Sequence, residues 1–234
     1  MAVNINSVYQ KVLALANKEQ RGYITPQEFN LLADRAQNEI YENYFHQARN
    51  SNAKIKDDDQ YTDTLEMIEA KLSPFIKVQA NTTVNTGVLT LPTDIYKLIN
   101  IKQNFNIITE VTKKEEDYIL GFTNQNNALY PSTVRPIYSR RSATTILITP
   151  SPTNSSSIEV TYYKEPTTPS FDYVVVNEKA LYNSNTSVNF ELASSEEEHL
   201  VSRILLLAGG AIKQPDLSQG GASLLQLKNQ EQNS

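Results

Sequence analysis

The chain has 234 residues and a formal net charge of -5, and it contains no cysteine. The length allows one large domain or two small ones, and a core that needs no covalent staples. Without cysteine there are no disulfides, zinc thiolates or thiol nucleophiles, and the composition fits a reducing cytosol; an acidic balance also argues against broad, non-specific binding to nucleic acid.

Hydrophobic residues make up 39% of the chain. Asn, Thr, Ser and Gln fill the shortfall rather than charge. Neutral polar surface of this kind is desolvated more cheaply than charged surface and suits protein contacts. The first ten residues show no basic stretch followed by an apolar run, so no signal peptide is expected. The longest apolar stretch, Ile204 to Ile212, is too short for a membrane span, which needs about 20 residues.

Taken in chain order, Ile5, Val8, Val12 and Leu15 recur at helical spacing and predict a helix that ends by Gly22. Thr25-Pro26-Gln27-Glu28 is a capping box with proline at the first helical position. The helix it opens carries Phe29, Ala33, Ala36, Ile40 and Tyr44 on one face and is expected to run to about Phe45. His46 to Asp59 reads as a polar loop. Tyr61, Leu65, Ile68 and Leu72 predict a third helix, stopped by Pro74.

The period then changes from helix to strand. Ile76 to Val84 and Val88 to Leu91, broken at Gly87, read as a hairpin. Ile95 to Gln103 reads as a strand, and Thr112 to Leu120 as a short helix capped by Thr112 and Glu115. Further strands are expected at Val134–Tyr138, Thr145–Thr149 and Ser157–Lys164, with shorter ones at Phe171–Val176 and around Val188–Phe190. Ser194 or Ser195 is expected to cap a last helix, with Glu196, Glu197 and Glu198 in its solvated first turn. Leu200, Ile204, Leu207 and Ala211 form its stripe, and Pro215 follows it. A weaker helical pattern, Leu217, Leu224, Leu225 and Leu227, is interrupted by Gly220 and Gly221.

These elements define an α+β chain in three parts. Residues 1–74 form a helical bundle, 75–193 an inserted antiparallel β-rich domain, and 194–234 a C-terminal helix and extended tail that pack on the bundle or on a partner.

No catalytic constellation emerges. His46 and His199 are the only histidines. Glu196-x-x-His199 matches half of a di-iron carboxylate motif, but no second histidine pair completes it. A calcium loop starting at Asp57 would need glycine where Thr62 stands and glutamate where Ile68 stands. No phosphate-cradling glycine motif and no nucleophile elbow is present. No cofactor, metal site or enzyme activity is therefore expected. Arg135, Arg140 and Arg141 form a compact basic spot, read either as a nucleic-acid contact or, with more weight, as a patch for an acidic protein neighbour. The candidate protein interface comprises these arginines with Leu200, Ile204, Leu207, Ala211, Leu217, Leu224 and Leu225.

Three stretches carry a resemblance. Val8 to Asn30 resembles the opening of virion structural proteins of tailed bacteriophages, including crAss-like podoviruses. Leu91-Pro92-Thr93-Asp94-Ile95, continuing to Ile101, is similar to a strand start in phage tail-tube and adaptor subunits. Glu196 to Lys213, followed by Pro215-Asp216-Leu217, looks like the closing helix of head–tail connectors. The resemblance implies a structural virion protein: a subunit of a homo-oligomeric ring, of twelve copies, at the portal–tail neck. Its partners would be the portal and neighbouring tail or ring proteins, with genomic DNA passing close by and no membrane contact. The alternatives are a tail-tube or tail-hub subunit and, from another class, a β-rich carbohydrate-binding module.

Overall fold

The computed structural model describes residues 2–18, 24–54, 60–80, 84–104, 106–122, 130–152, 158–176, 179–211, 222–223 and 225–226. The fold is α+β. In chain order come α1 (Ile5–Lys18), α2 (Pro26–Lys54), α3 (Gln60–Leu72), β1 (Ile76–Ala80), β2 (Val84–Asn85), β3 (Val88–Thr90), β4 (Ile95–Gln103), β5 (Asn106–Ile107) and β6 (Thr109–Val111). Then follow α4 (Lys113–Phe122), β7 (Ile137–Arg140), β8 (Thr145–Thr149), β9 (Ile158–Lys164), β10 (Tyr173–Val176), β11 (Lys179–Tyr182) and α5 (Glu197–Ala211). The chain divides into two compact units: residues 1–74 with 166–234, and residues 75–165.

The first unit is helical. α2 packs against α3 and α5, and α5 also packs against α1. Its core includes Val8, Val12, Phe29, Ala33, Ile40, Leu200 and Ile204, all buried. The start of α2 is the expected capping box. Thr25 Oγ1 accepts from the Glu28 backbone N–H at 3.2 Å, and the Thr25 backbone N–H donates to Glu28 Oε2 at 2.9 Å. These bonds to Thr25 hold the Glu28 carboxyl below its usual range. Thr25→Ala is expected to cost about 1 kcal/mol in stability, read by urea denaturation. A loss indistinguishable from zero would remove the cap from the account.

α2 runs nine residues beyond the expected end at Phe45, through His46 to Lys54. That stretch holds neither proline nor glycine, so nothing in it stops a helix. A helix polar on every side carries no hydrophobic stripe, which is why periodicity missed it.

Residues 166–193 belong with the helices, not with the β-rich middle as expected from the sequence. Two side-chain amides, seven residues apart on α2, hold this segment. Asn30 Nδ2 donates to the Phe171 carbonyl at 3.1 Å, and the Phe171 N–H returns a bond to Asn30 Oδ1 at 2.7 Å. Gln37 Nε2 donates to the Thr167 carbonyl at 2.9 Å, while Gln37 Oε1 accepts from the Glu191 N–H at 3.0 Å. Each amide thus gives an extended strand the partners that a neighbouring strand would otherwise supply. Apolar packing reinforces them. Phe171 meets Tyr9 at 4.3 Å and Phe29 at 6.3 Å between ring centroids, and Tyr9 meets Phe29 at 4.9 Å. Near the N-terminus, Ala2 bridges Ala193 and the Val3 N–H donates to the Leu192 carbonyl.

The second unit contains two sheets, ordered β1-β9-β4-β5 and β2-β3-β8-β7-β6. One core serves both. Ile101, Ile158, Val160 and Tyr162 come from the first sheet; Leu89, Tyr138, Ile146 and Ile148 come from the second. The expected long hairpin over 76–91 is replaced by a different pairing. β1 lies against β9, and only β2 and β3 form a hairpin. The turn of that hairpin has positive φ at both Thr86 and Gly87, the twist that tight hairpins require. A Cβ at position 87 would stand 2.8 Å from the Ile148 carbonyl oxygen, so glycine is needed there.

β6 and β7 are parallel, and α4 makes the crossover between them. α4 opens with a second capping box, Thr112 with Glu115. Its Glu116 carboxylate is buried and accepts from Ser139 Oγ at 2.7 Å and from Arg141 at 2.8 Å. In the same sheet the Tyr138 hydroxyl donates to Glu110 at 3.1 Å. Burial, then the Glu110 charge, pushes this phenol from 10.0 up to about 12. A raised pKa favours the protonated form in the fold, so its contribution is complete below pH 10.0 and lost on approaching about 12. Tyr138→Phe is expected to flatten the alkaline fall in stability over that window, measured by denaturant midpoints at graded pH. Curves of equal steepness for both proteins would contradict it.

Candidate functional site

A cluster of ionisable groups lies where α2, α3 and α5 meet in the helical unit. A short 3-10 turn, Ser194–Glu196, precedes α5. Ala193 stands at the cap position of this turn and makes no side-chain capping bond there. The three glutamates after it have separate fates. Glu198 is exposed. Glu197 accepts from the Ser7 hydroxyl and pairs with Lys11 at 3.1 Å. The Ser7 bond, opposed by burial and aided by Lys11, holds its carboxyl below the usual range.

Glu196 is buried, not solvated as the sequence suggested. Lys71 of α3 reaches its Oε1 at 3.0 Å, and His199 Nδ1 lies 3.0 Å from its Oε2. A carboxylate only accepts, which makes Nδ1 the protonated ring nitrogen. Tyr44 of α2 completes the cluster, with Lys71 Nζ 5.7 Å from its ring centroid. Burial, then the Glu196 charge, pushes the Tyr44 phenol well above its usual range. Its hydroxyl nevertheless makes no hydrogen bond of normal geometry.

Beside this cluster is a cavity of about 390 Å³ lined by Glu39, Ile40, Glu42, Asn43, His46, His199 and Arg203. The fold thus brings His46 and His199, far apart in sequence, to one cavity. Glu39 is held there between two arginines. Arg203 Nε donates to Oε2 at 2.6 Å and Arg35 Nε to Oε1 at 3.0 Å. Burial works to raise the Glu39 carboxyl, but these two bonds outweigh it and bring it below its usual range. Among the described residues, no three of His, Asp and Glu come together as metal ligands. Asp57, Asp58 and Asp59 lie outside the described residues. Nor does any described helix have the length and apolar character to cross a membrane.

The candidate interface residues are scattered. Leu200 and Ile204 are fully buried in the helical core, because α5 lies against both α1 and α2. Leu207 is half-buried on α5, and Ala211 is its last residue. Leu225 is helical and half-buried; Leu217 and Leu224 lie outside the described residues. The basic spot is partly used within the chain. Arg141 is the cation that neutralises buried Glu116. Arg140 ends β7 and is exposed, as is Arg135 in the preceding loop. Glu196 was missed because a charge run at a helix start ordinarily faces water. Its i,i+3 spacing to His199 was the available signal.

A family model described as SU10 adaptor protein matches residues 32–184, more than half of the chain. The chain belongs to the SU10 adaptor protein family. It is therefore a structural adaptor of a bacteriophage and a component of the virion. The match runs from within α2 to just beyond β11. It takes in the Leu91-Pro92-Thr93-Asp94 strand start and stops short of α5. No curated protein matches the chain.

Proposed function

We propose that copies of this chain close into a ring, of twelve subunits, at the portal–tail neck, linking the portal to the next tail component around a passage for DNA. The observation that carries this reading is the adaptor family match across residues 32–184. Other features support it. An adaptor works by contact, and three of the buried or half-buried carboxylates are spent on internal pairing: Glu196 on Lys71 and His199, Glu39 on two arginines, Glu116 on Arg141. A closed ring tolerates a modest interface, since each subunit is held on two sides. The net charge of -5 suits a wall that DNA slides past without sticking. Leu207, Leu225 and Arg140, which retain surface, are the proposed contact residues nearest the original expectation.

The test is particle imaging and native mass measurement of the purified chain, alone and mixed with its portal. Rings or a portal-bound ring are expected. A chain that stays monomeric alone and leaves the portal bare overturns the proposal.

A further inference from the structure

We draw no further inference here: the strongest candidate, the β10–β11 hairpin of the helical unit with its exposed Val174, Val175 and Leu181, carries nothing because nothing in the structure shows what covers it.

Discussion

Phe29→Ala is expected to destabilise the helical unit by about 3–5 kcal/mol. Phe29 is fully buried on α2, and its ring meets Tyr9 of α1 and Phe171 of the returning segment. Three stretches of chain that are remote in sequence therefore converge on one side chain. Truncation loses the transfer energy of the ring, leaves a cavity, and removes two edge-on aromatic contacts. Total stabilities of natural domains are about 5–15 kcal/mol, so this one change removes much of the margin. Leu31→Ala is the matched control, because Leu31 lies two residues away on the same helix and is 75% exposed. It is expected to shift stability by about 0.5 kcal/mol or less. Urea denaturation followed by circular dichroism compares the two. Similar midpoints for both variants would show that the aromatic cluster does not hold the unit together.

The second large effect is expected at Glu196. Glu196→Ala leaves Lys71 and His199, which are 20% and 14% exposed, facing a void where a carboxylate stood. Removing one partner of a buried charge pair costs about 3–5 kcal/mol. The partial exposure of Lys71 places the expected loss near the lower figure. Replacing both charges with apolar groups, as in Glu196→Leu with Lys71→Met, removes the desolvation penalty along with the attraction. That double variant is expected to be more stable than Glu196→Ala alone. A double variant whose loss equals the sum of the separate losses of Glu196→Leu and Lys71→Met would show that the side chains act independently.

The sequence made some parts of this fold legible and concealed others for identifiable reasons. Capping boxes are local, and both of them, at Thr25 and Thr112, formed as the spacing required. β4 and β8 have the expected limits because each is bounded by proline or turn residues and filled with β-formers. Strand pairing is not local. Nothing near Ile76 in sequence indicates that its partner is Tyr163, so the hairpin reading of 76–91 chose the nearest candidate instead. The assignment of 166–193 to the β-rich part failed similarly. Extended segments look alike in sequence whether their bonds go to a strand or to the amides of Asn30 and Gln37. The Glu196 cluster was half visible. His199 and Glu196 were noticed for their spacing, but Lys71 is more than a hundred residues away and carries no local mark.

The pairing of Ile76 with Tyr163 has a further consequence, for the order in which the molecule can fold. These residues stand almost at the two ends of the inserted stretch 75–165, on adjacent strands, about 5 Å apart. Once β1 and β9 zip together, the chain leaves the insert with its two ends side by side. That pairing closes the long loop, so the helices before it and the segment after it are then brought close at little further entropy cost. Closing such a loop in an unstructured chain costs on the order of 4 kcal/mol in entropy. An insert that forms first acts as a clasp: it gives α2 and residues 166–193 a short connection across which Asn30 and Gln37 can find their partners.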